Sequence, residues 1–414
     1  MKRLCSLLLA ALMLLIVWPS AALAQTGAIT EPQLTPPEQL VDADGHVIFP
    51  LACVEQAVRD ALGIPEGGMT PKQLAKLGAK GEELRIVSDT AVTVDLSILQ
   101  LCARLKSLYL EKITPANLGA VTACKSLTYF GANCIEITDL RFLAGLNDLR
   151  DVWISQCPCK DISAVTDMPR LSNFSIDTKV QDLAPLYACK KITEIAVAQA
   201  TDAELNTLLD HLGQKLKSLG LNTCAITDTT FLRITGLRLG KLMLDTVPVK
   251  SVAPLWQMKT LGEIQLFNMH IDSLEGIQTL KKLNSVSLLG FWGLTDFSPL
   301  FTHTTVRSLK IADTEAPVLT GIEGMSKLDT LTLENLGGTV NLTPLYGLPK
   351  LRQLNLEGVT VDGIAGIEAL KALTGLTLNR VKGIADYTPL VGLGKLQWIT
   401  TDMPENLPDG LTMK

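Results

Sequence analysis

Leu105-Lys106-Ser107-Leu108-Tyr109-Leu110 places leucines at its first, fourth and sixth positions, and the same spacing returns along most of the chain. Leu261-Gly262-Glu263-Ile264-Gln265-Leu266, Leu328-Asp329-Thr330-Leu331-Thr332-Leu333 and Leu351-Arg352-Gln353-Leu354-Asn355-Leu356 repeat it closely. The segments start at Leu105, Leu127, Leu149, Leu171, Ile192, Leu216, Leu239, Leu261, Leu283, Val306, Leu328, Leu351, Leu373 and Leu396, at intervals of 21 to 24 residues. Side chains alternate along a strand, so the fourth and sixth residues point to the same side. One such strand is too short to bury that side alone. Stacking the next copy about 4.8 Å away completes a continuous core. The rest of each copy returns the chain with further spaced apolar residues, as in Leu140, Leu143 and Leu146 or Leu274, Ile277 and Leu280.

A repeat of this length with this strand signature is a leucine-rich repeat. The fold class is therefore an α/β repeat, a leucine-rich-repeat solenoid with a parallel concave β-sheet and a small helical N-terminal cap. About fourteen strands give an arc of about 65 Å. A degenerate earlier copy is expected to begin at Leu84, which sets the array at residues 84–414. The cap occupies residues 46–83. Val54, Ala57, Val58 and Leu62 share one helical face ending near Gly63, and Thr70-Pro71-Lys72-Gln73 has the composition of a helix start. One return segment differs: Thr201-Asp202-Ala203-Glu204-Leu205, followed by Leu208, Leu209 and Leu212, predicts an α-helix. The other segments are short enough for a turn or a 3₁₀ piece.

The 22-residue period, and the step carried by Ile137-Thr138-Asp139-Leu140, Val249-Lys250-Ser251-Val252 and Ile271-Asp272-Ser273-Leu274, resemble the internalin-type bacterial leucine-rich-repeat proteins. Residues 54–63 with Pro65-Glu66-Gly67 and Thr70 also look like their helical cap. The resemblance implies this fold, and a role in binding diverse partners. One feature departs from it. The ninth position, where those repeats usually carry an Asn ladder, reads Ile135, Cys157, Cys224, Val247, Met269, Phe291, Thr314, Leu336, Val359 and Val381. An apolar ladder packs but leaves the backbone groups of the turn to find backbone or water partners.

Of the 414 residues 47% are hydrophobic and 19% charged, which excludes a disordered chain; the formal net charge of -5 provides no electrostatic footprint for nucleic acid. Residues 1–24 read as a signal peptide. Lys2 and Arg3 precede an apolar run over residues 7–18, and Ala22-Leu23-Ala24 is a cleavage site before Gln25. That reading places the protein outside the cell or on its surface. Residues 25–45, with Pro32, Pro36 and Pro37, are expected to form a flexible leader. No later stretch is apolar enough to span a bilayer.

Cys102, Cys124 and Cys189 fall at a core position three residues before the next copy, and Cys157 and Cys224 at the ninth position, so packing is their expected role. If any pair is bridged, Cys102 with Cys124 is the candidate. Asp139, Asp161, Asp182, Asp228, Asp296 and Asp386 recur at or next to the thirteenth position. They suit capping of backbone N–H groups; the alternative is a calcium ladder, for which no Asp-rich binding loop is present. His46, His211, His270 and His303 belong to no catalytic motif, and neither a nucleophile elbow nor a phosphate loop occurs. No metal, cofactor or catalytic residue is assigned.

The second, third, fifth and seventh positions face outward on the sheet. Most fifth positions are small or polar, but Tyr109, Tyr129 and Trp153 lie on three successive strands and could form a binding patch, or could simply fill the pleated surface. Met243 and Phe267 form a second candidate patch. The expected function is recognition of a protein or glycan partner at a cell surface by the concave face. The alternative is a structural envelope module stacking through an open C-terminal edge at Leu396–Thr400, with a hydrolase of dispersed site as a minor third.

Overall fold

The computed structural model describes residues 34–409 and 411. The signal peptide and the leader up to residue 33 lie outside the described residues. The core of the fold is a sheet of fifteen strands whose spatial order follows the chain from Glu83–Asp95 to Trp398–Thr401. Every neighbouring pair is parallel, and beyond a bulge between Val87 and Val92 in the first strand the copies align position for position: Ser107 pairs with Tyr129, Tyr129 with Asp151, and Asp151 with Asn173. All fourteen predicted segments contribute a strand, each beginning at the third position of its copy. The first, fourth and sixth positions fill the interior, as with Leu105, Leu108 and Leu110, all fully buried. This register makes the chain a leucine-rich-repeat solenoid. Strands stand about 4.8 Å apart, whereas the helical returns behind them are wider, so the sheet side is the concave one.

The earlier copy exists, but its frame differs from the expectation. Leu84 pairs with Leu108 and Ile86 with Leu110. Leu84 is therefore a fourth position, and the copy starts three residues before it. The reason is that two inward residues separated by one fit the fourth and sixth positions, not the first.

Most returns are 3₁₀ turns, such as Ser163–Asp167 and Ala184–Ala188. The predicted α-helix is Asp202–Leu212, with Thr201 donating its N–H to Glu204 Oε2 at 2.7 Å and accepting the Glu204 N–H on its hydroxyl. The expectation that every other return is too short for α-helix fails at Asp228–Thr235. Here Thr227 caps the helix, its own N–H bonds the Asp202 carboxylate at 2.6 Å, and the Asn206 amide donates to the Thr230 hydroxyl at 2.7 Å. The first helix templates the second through contacts that no local propensity reveals.

At the N-terminal end the helix Ala52–Leu62 buries Val54 and Val58 and stops at Gly63, whose φ of 67° lets its N–H return to Arg59 and Asp60. Residues 34–45 do not form a free leader: Leu40 is buried, the Thr35 hydroxyl donates to Asp95, and Gln100 donates to the Thr35 carbonyl. At the other end, Leu407 and Leu411 pack against the core beyond the last strand. The apolar interior there is covered, although Trp398–Thr401 has a strand neighbour on one side only.

The turn after most strands obeys a rule that the apolar ninth position conceals. The eighth residue takes a left-handed conformation in copy after copy: Lys112, Cys134, Gln156, Gln199, Thr223, Thr246, Asn268, Gly290, Asp313, Asn335, Gly358 and Arg380 all have φ between 47° and 58° or, at Gly358, 61°. This conformation aims the eighth N–H along the stack. Thr223 donates to the Asp245 carbonyl, Thr246 to Phe267 and Asn268 to Leu289, at 2.7 to 2.9 Å. The backbone groups that an Asn ladder would satisfy are met by the next coil, and the ninth side chain is free to pack: Cys224 is fully buried and Met269 nearly so.

Candidate concave binding face

The strands place Tyr109, Gly131 and Trp153 side by side at the fifth position. Gly131 has no side chain to separate its neighbours, so the Tyr109 and Trp153 rings stack across it, centroids 6.0 Å apart and 21° from parallel. A Cβ on Gly131 would lie 2.6 Å from the Tyr129 hydroxyl and 2.7 Å from Tyr109. The glycine is thus the floor on which three rings converge. The Arg85 guanidinium sits 4.1 Å from the centre of the Tyr109 ring, and the Tyr109 hydroxyl donates to Glu111 at 3.0 Å. Burial, followed by the Glu111 charge, raises the Tyr109 phenol well above its ordinary value.

The structure therefore unites the first patch but corrects one member. Tyr109, expected as an exposed anchor, is only 6% exposed because Arg85 and Trp153 cover it. Tyr129 and Trp153 remain half-buried and accessible. The second patch does not present an exposed surface: Met243 and Phe267 are also 6% exposed. Met243 lies over Gly220, reaching 3.0 Å from where its Cβ would be, and so fills the sheet surface itself.

Around the rings stand four carboxylates on the same face: Glu111, Asp151, Asp177 and Glu194. None belongs to an ion pair among the described residues. Asp151 and Glu194 are separated by one strand, which carries Asn173. Burial raises the Asp151 carboxyl, the Glu194 charge adds to that, and Arg150 opposes it. Burial likewise raises Asp177 despite hydrogen bonds from the Ser155 hydroxyl at 2.6 Å and the Gln156 N–H at 2.8 Å.

The remaining candidates have structural roles. All eight cysteines from Cys53 to Cys224 are free. The Cys102 and Cys124 thiols point at the carbonyls of Ile98 and Leu99 and form no bridge; burial pushes Cys124 up to about 12. Asp139, Asp161, Asp182, Asp296 and Asp386 each accept the N–H two residues on, at 2.8 to 2.9 Å, which is the capping role expected of them. Those bonds, or first the Arg141 side chain at Asp139 and the Ser298 hydroxyl at Asp296, hold Asp139, Asp161, Asp296 and Asp386 below the ordinary carboxylate range. Asp228 differs and pairs with Lys250 at 3.0 Å. Among the described residues no cluster of three or more His, Cys, Asp or Glu could hold a metal, and no helix is long and apolar enough to cross a membrane. His211 stacks on Tyr187, His270 leans on Trp292 and His303 is buried, so the three share no site.

The outward-facing acids were readable from strand alternation but gave no signal in a search for motifs. The left-handed eighth position had one: Asn268, Gly290, Asp313, Asn335 and Gly358 are residue types suited to positive φ.

No family model matches the chain, and a search of curated proteins returns no match. Among solved structures, an internalin from Listeria monocytogenes is 19% identical, covers 86% of this chain and 96% of its own, and gives a TM-score of 0.47. A leucine-rich-repeat protein of Leptospira interrogans is 17% identical over 76% of this chain and 89% of its own, with a TM-score of 0.41. The functional domain of internalin J from Listeria monocytogenes, described as including a cysteine ladder, is 15% identical over 85% and 79%, with a TM-score of 0.40. These are likenesses of the coil; the fold rests on the strand register above, and neither ligand nor site follows from them.

Proposed function

We propose that this protein is a secreted or surface-held leucine-rich-repeat binding module whose concave face recognises a protein or glycan partner, with no catalytic step of its own. The observation that carries the reading is the ring cluster at Tyr129 and Trp153, set on the Gly131 floor and braced by Tyr109 and Arg85. Aromatic side chains held rigid and half-covered lose little entropy on binding, which is why such residues dominate binding energetics. Signal-peptide cleavage before Gln25 would deliver the module outside the cell.

The test is affinity capture from cell-surface extracts with the wild-type chain and with Tyr129→Ala/Trp153→Ala, both verified as folded by thermal melting. A partner retained by the wild type and lost by the double variant supports the reading. Equal retention by both would remove this face from the function.

A further inference from the structure

The charge of the sheet face around the rings specifies the partner further, provided the concave face is the binding surface proposed above. On the strands from Glu83–Asp95 to Glu194–Ala198, the outward third, fifth and seventh positions carry Glu83, Glu111, Asp151, Asp177 and Glu194 against Arg85, and the outward second positions add Glu82, Lys106 and Arg150, so acids outnumber cations on this stretch. Arg85 is already engaged, 3.5 Å from Glu83 and over the Tyr109 ring. Arg150 adjoins Asp151 in sequence, and its charge acts against the burial of that carboxylate without the two forming a close ion pair among the described residues. Asp151 and Glu194 flank Asn173 on consecutive strands and Trp153 lies on the strand of Asp151, so two like charges and an accessible ring share one face of the sheet. Farther along the sheet the pattern reverses: Lys241 meets Glu263 at 2.9 Å and Lys310 meets Glu334 at 2.6 Å. Those carboxylates have ion-pair partners, whereas among the described residues Asp151 and Glu194 have none.

We infer that the face formed by Tyr129, Trp153, Asp151 and Glu194 docks a basic segment of a partner protein, with an Arg or Lys side chain lying over the Trp153 ring and its charge between the two carboxylates. A guanidinium or ammonium is attracted by the face of an indole and by the flanking carboxylates together, and relieves the repulsion between those carboxylates. An anionic segment would meet the negative charges of Glu111, Asp151, Asp177 and Glu194, none of which belongs to an ion pair among the described residues. A neutral glycan would gain the rings but leave the carboxylate charges unanswered.

The probe is a fluorescein-labelled peptide of alternating Arg and Ser, twelve residues in all, titrated into the full chain at low salt; a Glu–Ser peptide and chitohexaose serve as the opposing probes. The Arg–Ser peptide should bind, should weaken at least tenfold on Asp151→Asn/Glu194→Gln and on Trp153→Ala, and should weaken less on Trp153→Phe, which keeps a ring. Raising the salt should weaken it further. Absence of Arg–Ser binding, binding indifferent to Asp151→Asn/Glu194→Gln, or preference for Glu–Ser or chitohexaose overturns the inference. If a captured partner depends on Tyr129 and Trp153 but not on the two acids, only the charge assignment fails and the binding face stands.

Discussion

The two halves of one sheet use the same backbone to opposite ends. Toward the C-terminus the outward side chains satisfy each other: the Asn355 amide donates to the Thr332 hydroxyl at 3.1 Å, the Thr377 hydroxyl donates to Asn355 at 3.0 Å, and Lys310 and Arg380 pair with Glu334 and Glu357. Toward the N-terminus the same positions hold converging rings and carboxylates without ion-pair partners among the described residues. A repeat scaffold makes this contrast easy to read because the register is constant. What differs between the halves is whether the charges of the face are paired within the molecule, and unpaired charges are groups that a partner can complete.

The comparison can be broken most forcefully in the interior, where the halves should be equivalent. Phe174 and Leu356 are both fully buried, one in each half. Their truncation to Ala should each cost about 2–5 kcal/mol by urea unfolding. A cost confined to one half would show that the array does not share a uniform core. On the surface the halves should separate: Asn355→Ala, which removes two hydrogen bonds, should cost about 1–2 kcal/mol in the same assay, while Ser175→Ala at the equivalent N-terminal position should stay within about 0.5 kcal/mol. Equal costs would erase the distinction between a satisfied and an unsatisfied face.

The turns give a third comparison. Gln199 is left-handed at φ 54°, so Gln199→Gly should raise stability by about 0.5–1 kcal/mol. Gly358→Ala should lower it by at least about 1 kcal/mol, because φ there is 61° and the new Cβ would meet Asn335 Oδ1 at 2.5 Å. Changes of the same sign would refute the rule for the eighth position. The smallest effect is one of pH. His303 is 3% exposed, and burial depresses its pKa below the ordinary 6.5. The unfolded chain therefore takes up the proton first as pH falls, so stability is complete above about 6.5 and declines below it toward the folded value. His303→Gln should flatten this slope in melting temperature between about pH 5 and 7; an unchanged slope would assign it elsewhere.

Much of this was legible in the residues. The spacing of Leu105, Leu108 and Leu110 announced the strands, Thr201 and Glu204 the helix behind them, and Tyr109, Tyr129 and Trp153 a shared face. The coverage of each face residue was not legible. Tyr109, Met243 and Phe267 occupy outward positions and are nevertheless buried; for Tyr109 and Met243 the reason is that Gly131 and Gly220 on adjacent strands let neighbouring groups settle over the sheet. The helix Asp228–Thr235 escaped for a similar reason, since its N-terminus is held by Asp202 and Asn206 from the preceding coil.

The sequence by itself determined the coil, its period and which residues face inward, because those follow from the alternation of side chains along a strand and the need to bury one face. Only the tertiary structure decided the rest: the left-handed eighth residue whose N–H bonds the next coil, the glycine floor under the rings, and which carboxylates find a cation. Each of these depends on contacts between residues about 22 positions apart, whose spacing the sequence shows but whose geometry arises only when the coils are stacked.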